Sequence, residues 1–399
     1  MKVVVFSENN YGCGASIAAS RLVKGLTKEH EVLFVYEKNK TKINQFKGIN
    51  INTWQLGETQ NRWKNAIYRV FYMIARLTST NIDRWLLFKI FNKKIKSIQP
   101  DIIHFHNTYF THEQIAALSE KTPVVWTMHD QFAFYIYNYK ITKFDGNEKI
   151  YCPIQEWRKR FYNPEKLLNN CNANVTFTPP SQWLVDLSEK RNAGRKAIKV
   201  VHNGIDTNDF YPLEKHQSRK SISIDAVKFT LLFLAGTGAW ERKNSIVIFE
   251  ALKLIPDLDI QVVAIGSVSK FKFEDSRVIK KGAVYSISAL REVYSSADVF
   301  CIPSVLDNLP NTVLESLLCG TPVLGAKAGG IPEMIDDGNT GWLFDPYSPR
   351  DLADKITMLY NDFENVKNKS ETCRSSVIDK FSEGTMVKNY IKVYNEIVR

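Results

Sequence analysis

Between residues 303 and 323 the chain reads Pro303-Ser304-Val305-Leu306-Asp307-Asn308-Leu309-Pro310-Asn311-Thr312-Val313-Leu314-Glu315-Ser316-Leu317-Leu318-Cys319-Gly320-Thr321-Pro322-Val323. An apolar run, Val299–Ile302, comes directly before this stretch. The pattern predicts a buried strand, a polar loop, a short helix and a second strand, which is the repeating unit of a parallel sheet covered by helices. Asp307 in the loop and Glu315 in the helix place two carboxylates around the start of that helix.

The same alternation of short apolar runs and helical patterns extends through almost the whole chain. In the first half the predicted strands are Val3–Phe6, Val32–Tyr36, Ile102–Phe105, Val124–Met128, Val175–Thr178 and Lys199–His202. In the second half they are Thr230–Ala235, Ile260–Ile265, Val278–Lys280, Val299–Ile302, Pro322–Gly325 and Trp342–Phe344. Because the series starts afresh after residue 205, the sequence predicts an α/β protein with two doubly wound, Rossmann-like domains.

The predicted border between the two domains lies at Asn203-Gly204-Ile205-Asp206. A chain of 399 residues is also long for one core, since domains usually hold about 100–200 residues. The polar stretch Glu214–Ser223 carries no helical stripe and is predicted to be a connection. Two apolar helical segments, Pro349–Phe363 and Glu383–Arg399, follow the last strand. The expected units are residues 1–204, residues 205–382 and a C-terminal helix, 383–399.

Composition favours a folded cytoplasmic protein with an anionic partner. An apolar share of 44% and a charged share of 24% are ordinary for a globular protein. No apolar stretch near Met1 is long enough for a signal or spanning helix, and the six cysteines lack paired short spacings, so we expect no disulfides. A net charge of +11 favours a partner such as phosphate or an anionic lipid.

The positive charge is concentrated between Asn61 and Gln99, where nine basic residues stand against Asp83 alone, a net charge of +8. Interleaved apolar and aromatic residues make the pattern typical of basic amphipathic helices. Two interpretations stay open: the segment binds the anionic inner face of the cell membrane, or its apolar side packs on the first domain and its charges are solvated. No zinc-finger, RNP or heptad pattern accompanies the charge, so we expect no nucleic acid partner.

A glycine-rich loop, Asn10-Tyr11-Gly12-Cys13-Gly14-Ala15-Ser16, follows the first strand and leads into a helix predicted to begin near Ile17. Glycines let the backbone approach a ligand closely, and a helix start offers N–H groups to an anion. A simple tight turn would use the same residues. Ile17 stands where the dinucleotide fingerprint needs a third small residue, which argues against a nicotinamide-dependent oxidoreductase.

Histidines stand at the ends of two neighbouring strands. His129 and Asp130 follow the fourth strand, where a histidine either hydrogen-bonds a ligand hydroxyl or a developing charge, or serves a structural role. His104 and His106 end the preceding strand on one face. We predict that they pack or hydrogen-bond there, and we expect no metal site because no carboxylate or cysteine has metal-ligand spacing.

Charged residues follow two strands of the second half. Arg242 and Lys243 lie near the start of a helix beginning at about Ser245, where they would neutralise a diphosphate or form an ordinary solvated pair. Asp307 and Glu315 have three possible uses. They could hold different parts of one ligand whose phosphates face the helix N-terminus, or form the acid–base pair of a hydrolase. In the third, Asp307 caps the helix and Glu315 is solvated.

These motifs resemble those of the retaining glycosyltransferases of family 4, which have the GT-B fold: two Rossmann-like domains facing a central cleft. The stretch from Asp307 to Glu315 is similar to that family's pair of acids separated by seven residues, with aspartate in place of the first glutamate. The same stretch is similar to surface-polysaccharide enzymes of the colanic acid type. Further matches are Val201-His202-Asn203-Gly204-Ile205-Asp206, Gly329-Gly330-Ile331-Pro332-Glu333 and Gly338-Asn339-Thr340-Gly341.

The resemblance implies roles for the two domains and for single residues. Residues 1–204 would bind the acceptor, residues 205–382 the nucleotide sugar, and the helix 383–399 would cross back to the first domain. Glu315 would bind the ribose hydroxyls of the donor, with Asp307 near the transferred sugar and His129 on the acceptor side of it. The remaining donor-binding residues would be Gly14, Arg242, Lys243, Asn308, Leu309, Pro310 and Asn311.

Two departures from the family's pattern concern Asn244 and Cys152. Asn244 follows Lys243 where the family commonly has glycine, and Arg242 adjoins the lysine instead of preceding it by several residues. Of the similar subgroup's cysteine cluster, only Cys152-Pro153 is recognisable. These departures weaken two inferences. One is that Arg242 and Lys243 contact the diphosphate, and the other is that the loop with Cys152 holds a metal or a disulfide.

The implied activity is transfer of a hexosyl group from a UDP- or GDP-sugar to a glycan or polyprenyl-diphosphate-linked acceptor. It would proceed with retention at the anomeric carbon and without metal or cofactor, in cell-surface polysaccharide, O-antigen or exopolysaccharide synthesis. The alternative from another class is a non-catalytic scaffold that binds a nucleotide or sugar in a membrane-associated assembly. Because one fold hosts many functions, only the motif residues distinguish these readings.

Overall fold

The computed structural model describes residues 1–9, 14–38, 51–56, 82–108, 110–129, 139–142, 148–151, 174–189, 198–235, 240–266, 275–284 and 286–398. Its first part alternates strands and helices up to residue 189. These elements are β1 (Lys2–Asn9), α1 (Gly14–Leu26), β2 (Glu31–Lys38), β3 (Asn52–Gln55), α2 (Ile82–Ile98), β4 (Ile102–His106), α3 (His112–Ser119), β5 (Val124–Thr127), β6 (Tyr139–Thr142), β7 (Glu148–Tyr151), β8 (Val175–Thr178) and α4 (Gln182–Glu189).

The second part repeats this alternation and ends in helices. Its elements are α5 (Lys215–Ser221), β9 (Phe229–Ala235), α6 (Trp240–Lys243), α7 (Ile246–Lys253), β10 (Ile260–Gly266), β11 (Val278–Lys281), α8 (Ile287–Ser296), β12 (Val299–Ile302), α9 (Asn311–Leu318), β13 (Val323–Ala326), a 3-10 turn (Ile331–Met334), β14 (Gly341–Phe344), α10 (Pro349–Asn361), α11 (Phe363–Lys367), α12 (Ser370–Phe381) and α13 (Glu383–Ile397).

Two parallel six-stranded sheets confirm the predicted fold class. The first sheet has the order β3-β2-β1-β4-β5-β8 and the second the order β11-β10-β9-β12-β13-β14. Both follow the doubly wound arrangement, in which the strand order reverses beside the first strand of each half. Ligands bind at that reversal, beyond the carboxyl ends of the strands. The loops after β1, β4, β9 and β12 are therefore the places that matter for function.

The second sheet has its own large apolar core, whereas the first sheet shares one of its cores with the last helix. Val3, Val5 and Ile102 of the first sheet pack in one cluster with Tyr390 and Tyr394 of α13. This helix begins beside the second domain, where a backbone bridge joins Ile205 to Ser382. Helix α13 thus completes the first domain after the chain has already built the second.

Two predicted elements differ in the structure. The expected strand Lys199–His202 is reduced to a single bridge between Phe177 and Ile198, with backbone bonds from Lys199 and Val201 to the end of β8 and the residue after it. The prediction of a connection at Glu214–Ser223 was wrong, because α5 lies there. Polar contacts stabilise this helix, because the Glu214 carboxylate accepts hydrogen bonds from two backbone amides of the first turn. The helix therefore needs no apolar stripe.

A buried ion pair also fixes α5. The Arg219 side chain is buried and donates from Nη2 to Asp298 Oδ2 at 2.7 Å. Lys215 reaches the other oxygen of the same carboxylate at 2.6 Å. Breaking a buried ion pair leaves an uncompensated charge, so this pair holds the helix against the second sheet. The helix is thus fixed by charged residues, whereas a hydrophobic pattern would have required apolar ones.

Helix α2 shows how part of the basic segment packs. Its side chains Leu87, Phe88, Phe91 and Ile95 are buried in the core of the first sheet, which confirms the packing interpretation for this helix. Trp85 remains 56% exposed. Residues 61–81 of the segment lie outside the described residues. Among the helices that the structure describes, none combines the length and apolarity that crossing a bilayer requires.

One group of polar contacts between the domains lies where the chain passes from one to the other. Lys24 of α1 pairs with Asp206 at 2.7 Å, and Arg21 donates to the carbonyl oxygen of Gly204 at 2.9 Å. A Cβ atom at Gly204 would come within 2.8 Å of the Glu383 backbone. The predicted border is therefore a close crossing of three segments, which explains a glycine there.

Candidate active site

The two sheets face each other across a cleft that brings the predicted donor-side residues of both halves together. Gly14 starts α1 directly after the loop that follows β1, and a Cβ atom added there would stand 4.0 Å from the Asn311 side chain at the start of α9. The amide of Asn308 contacts the carbonyl oxygens of Met128 and His129 at 3.4 and 3.3 Å. The loop after β12 thus lies against the loop after β5, and the candidate residues of both domains share one site.

Arg242, Lys243 and Asp307 form one charged cluster. Lys243 Nζ lies 2.6 Å from Asp307 Oδ2, and the Arg242 guanidinium pairs with Oδ1 of the same carboxylate. Arg242 also donates to the carbonyl oxygen of Leu306 at 2.8 Å. Both cations are therefore held at the carboxyl ends of β9 and β12, where a diphosphate bound at the cleft would meet them.

The electrostatics of Asp307 keep it ionised. Burial alone would raise the pKa of this carboxyl, but the Lys243 ammonium and the Arg242 guanidinium outweigh burial and hold the pKa below its usual value. Asp307 is not a helix cap, since the residue preceding α9 is Pro310. One negative charge between two positive ones leaves the cluster with net positive charge, which favours an anionic ligand.

The neighbouring Asn244 explains one departure from the family's pattern. Its backbone has φ of 49°, in the left-handed region that glycine adopts freely and asparagine tolerates better than most residues. Its side-chain amide donates to the Pro346 carbonyl oxygen at 2.8 Å. Asparagine can therefore replace glycine here while the backbone keeps the turn that positions Lys243.

The start of α9 supplies the remaining predicted donor-side residues. Leu309 is buried, and Pro310 and Asn311 begin the helix. Among the described residues no side chain caps this helix, so no carboxylate competes with an anion for its first amides. Asn308 itself bridges to the first domain, because its Oδ1 accepts from the Ser181 hydroxyl.

Glu315 lies one turn into α9 and has a fixed partner. The Tyr294 hydroxyl donates to Glu315 Oε2 at 2.9 Å. Burial raises the pKa of Glu315 above its usual value, although the Tyr294 hydroxyl and the positive charge of Arg21 act in the opposite direction. Tyr294 is fully buried. With one oxygen held, the carboxylate presents its other oxygen in a single orientation, as a ligand for adjacent hydroxyls requires.

His129 stands at the end of β5, and its Nε2 lies 2.9 Å from His106 Nδ1. Burial lowers the pKa of His129 to about 4, so the ring is neutral at pH 7. His104 and His106 are fully buried and hydrogen-bonded, which confirms the interpretation that they pack and bond at the strand end. Asp130, residues 10–13 and the loop with Cys152 lie outside the described residues.

Three residues that support the site were not predicted from the sequence. They are Tyr294, Ser181 and Glu333, whose contact with the first domain was not expected. The Glu333 carboxylate accepts from the backbone N–H groups of Gln182 and Trp183 at 2.8 and 2.6 Å. In the sequence, Glu333 stands out only as the last residue of the motif Gly329-Gly330-Ile331-Pro332-Glu333. Nothing in the residue pattern indicated that it would cap a helix of the other domain.

Family models match both halves of the chain. Residues 13–209 match the model described as Glycosyltransferase Family 4. Residues 228–362 match the model described as Glycosyl transferases group 1.

The protein is built from two glycosyltransferase domains.

Among curated proteins, the glycosyltransferase domains are similar to a D-inositol 3-phosphate glycosyltransferase of Arthrobacter sp. (strain FB24). The identity is 29% over 293 residues, which cover 68% of this chain and 65% of that protein. They are also similar to an N-acetyl-alpha-D-glucosaminyl L-malate synthase of Bacillus anthracis, with 25% identity over 56% of this chain and 60% of that protein. The chain thus spans less than two thirds of the length of these relatives. Neither points to the colanic acid type specifically.

The fold has many solved counterparts, among them one with bound ligands. HepE from Anabaena in complex with UDP and glucose superimposes with a TM-score of 0.69, covering 99% of this chain and 100% of that one at 16% identity. At this identity the likeness establishes the GT-B architecture alone, and the activity has to be argued from the residues of the site.

Proposed function

We propose that the protein is a retaining glycosyltransferase that moves a hexosyl group from a nucleotide diphosphate donor, a UDP- or GDP-sugar, to a glycan or polyprenyl-diphosphate-linked acceptor. The observation that carries the proposal is the convergence of Arg242, Lys243 and Asp307 with Glu315 and His129 at one cleft. Residues 1–204 bind the acceptor, residues 205–382 bind the donor, and the helix 383–399 joins the two.

Each part of the donor has a matching group in the cleft. Glu315, oriented by Tyr294, binds the ribose hydroxyls through its remaining oxygen. Arg242, Lys243 and the start of α9 take the negative charge that develops on the departing diphosphate. Gly14 brings the start of α1 close to Asn311 at the start of α9, and the phosphates would bind at this junction of the two helices. The role of a metal in other transferases is filled here by two fixed cations and a helix N-terminus.

On the acceptor side, His129 is neutral at pH 7, and we place it beside the transferred sugar. A neutral imidazole can donate or accept a hydrogen bond with a sugar hydroxyl. Retention follows if the acceptor attacks from the side of the leaving phosphate and that phosphate takes the hydroxyl proton. Closing the two domains excludes water and so limits hydrolysis of the donor.

The basic outer face of α2 supports a place at the inner face of the cell membrane, in surface-polysaccharide, O-antigen or exopolysaccharide synthesis. Trp85, Lys89, Lys93 and Lys96 recur at the helical spacing and are exposed. Each basic residue near an anionic membrane contributes about 1 kcal/mol of binding energy. A lipid-linked acceptor is presented at such a surface.

A thermal-shift screen of UDP, GDP and their sugars with the wild type and Glu315→Ala tests the donor site, because a ligand that binds only the folded state raises its apparent stability. We expect stabilisation by one base class and its loss in the variant. Release of the nucleotide diphosphate on adding acceptor measures transfer. If no nucleotide stabilises the wild type, the non-catalytic scaffold becomes the better account.

A further inference from the structure

Three histidines lie together behind the cleft, and only one of them has a place in the proposed reaction. His104 and His106 are fully buried, and their ring centroids are 4.3 Å apart. His129 lies beside them, with its ring centroid 5.2 Å from that of His106 and the two ring planes inclined by 29°. A buried histidine in contact with a cleft histidine decides whether the cleft histidine presents a hydrogen-bond donor or an acceptor to a ligand.

The contact fixes which nitrogen of His129 is available. His106 Nδ1 and His129 Nε2 are 2.9 Å apart, which is hydrogen-bond distance. Burial, reinforced by the neighbouring histidines, lowers the pKa of His106 well below its usual value, and His129 is lowered to about 4. Both rings are therefore neutral, and one N–H lies between them. Nδ1 of His129 is left for a ligand.

The other nitrogen of His106 decides which ring donates. In the part of the chain that the structure describes, His106 Nε2 is buried and makes no hydrogen bond. If His129 donated, His106 would carry its own proton on Nε2, where a buried N–H would lack an acceptor. Orphaned buried N–H groups are rarer than under-satisfied acceptors. The arrangement with His106 Nδ1–H donating to His129 Nε2 is therefore the more stable one.

We propose that His106 is a positioning residue that holds His129 in the tautomer protonated on Nδ1, so that His129 presents an N–H donor to an oxygen of the reacting sugar. This inference rests on the proposed function for the role of His129 and on geometry for the tautomer itself. His106 touches no reacting atom. It acts by fixing the ring plane and the proton position of its neighbour.

The arrangement is anchored from behind by the last helix. The ring of His104 packs against that of His106 at an interplanar angle of 37°, and its Nδ1 is 2.6 Å from the Tyr394 hydroxyl. Its Nε2 is 2.7 Å from the Thr127 hydroxyl, which also contacts the Tyr390 hydroxyl at 2.7 Å. With both nitrogens of His104 held, the ring cannot turn, and His106 is confined against His129.

The tautomer is measured directly by nitrogen NMR of the full chain labelled with 15N-histidine, with His129→Gln identifying the signals of His129. We expect wild-type His129 to show a protonated Nδ1 and a bare Nε2 at pH 7.5. In His106→Leu, which keeps bulk but has no donor, the tautomer preference should be lost. A wild-type His129 protonated on Nε2 overturns the proposal whether or not the protein has activity.

Kinetics test the consequence for turnover. His106→Asn can place an amide N–H where His106 Nδ1 stood, so it serves as the conservative variant. We expect kcat to fall about 10–100-fold in His106→Leu, the range seen when a hydrogen-bond partner of a metal-ligating histidine is removed. The KM for donor should stay nearly unchanged, and His106→Asn should largely restore kcat. If both variants fold and lose kcat equally, the proposal that His106 positions His129 is overturned. An inactive wild type with the expected tautomer rejects only the proposed function.

Discussion

Glu333 Oε1 lies 2.6 Å from the backbone nitrogen of Trp183, so that a carboxylate of the second domain caps a helix of the first. The indole of Trp183 packs on Val305 and Leu306, which precede Asp307. The two contacts join the domains on the side of the cleft where the charged cluster lies. We expect Glu333 to hold the closed arrangement.

Replacing Glu333 by alanine should therefore loosen α4 and the domain contact. Loss of a helix cap lowers the free energy of unfolding by about 1 kcal/mol, and hydrogen exchange at residues 181–189 should become faster. Mass spectrometry of exchanged peptides measures this, with the exposed Asp354→Asn as a matched control. Exchange equal to that of the wild type would show that Glu333 contributes nothing to closure.

Asp307→Asn should strengthen binding of UDP or GDP while reducing transfer. The carboxylate pairs with both Arg242 and Lys243, so a diphosphate competes with it for the same cations. Removing its charge should lower the Kd of the nucleotide diphosphate about threefold to tenfold and steepen its salt dependence. Calorimetric titration at two ionic strengths measures both. Weaker binding in the variant would mean that Asp307 orders the cations and does not compete.

Tyr294→Phe should weaken donor binding without removing any predicted ligand-contacting group. The variant loses the hydrogen bond to Glu315 Oε2, and hydrogen bonds to charged groups contribute about 1.5–3 kcal/mol. We expect the KM for donor to rise at least about tenfold. Tyr360→Phe, whose ring packs edge-on against Phe229, is the control. An unchanged KM would show that Glu315 needs no such support.

Neutralising the outer face of α2 should reduce binding to anionic vesicles. The triple change of Lys89, Lys93 and Lys96 to glutamine removes about 1 kcal/mol per lysine near the surface. Sedimentation with vesicles of phosphatidylglycerol and phosphatidylcholine measures the loss, against the exposed Lys253, Lys367 and Lys380 changed together. If both triple variants bind equally well, the face is merely solvated.

Acidification should destabilise the protein through its buried histidines. His104 and His106 have pKa values well below 6.5 in the fold because burial disfavours their charged forms. The unfolded chain binds protons first, so stability present above pH 6.5 is lost as pH falls. From pH 8 to pH 5.5 each histidine lowers the free energy of unfolding by about 1.4 kcal/mol. Urea titrations of the wild type and His104→Asn should differ in this pH dependence. Parallel curves would contradict it.

The periodic parts of the fold could be predicted from sequence because each strand buries a short apolar run on both faces. Eleven of the twelve expected strands are present, and most of them, such as Val299–Ile302, could be predicted from that apolar run alone. Helix α5 was missed because its stability comes from the Glu214 cap and the Arg219–Asp298 pair, and a partner remote in sequence has no local signature.

The candidate site divides in the same way. Asp307 and Glu315 stand out because two acids at fixed spacing flank a strand–loop–helix unit. Tyr294 and Glu333 do not, because their role depends on which residue lies opposite them in space. That Asp307 pairs with both neighbouring cations could not be deduced from spacing either, since Arg242 and Lys243 are more than sixty positions away.

The shared core of Tyr390 and Tyr394 with the first sheet also has a consequence for synthesis on the ribosome. Helix α1 packs in the same cluster, but the part of the sheet face that α13 covers stays exposed while residues 205–382 are translated, since α13 is made after them. At elongation rates of about 5–20 residues per second, the wait lasts roughly 10–40 seconds. During this interval the nascent chain presents an apolar sheet face, the kind of surface that chaperones recognise. The first domain reaches its native state only after the second domain has been translated.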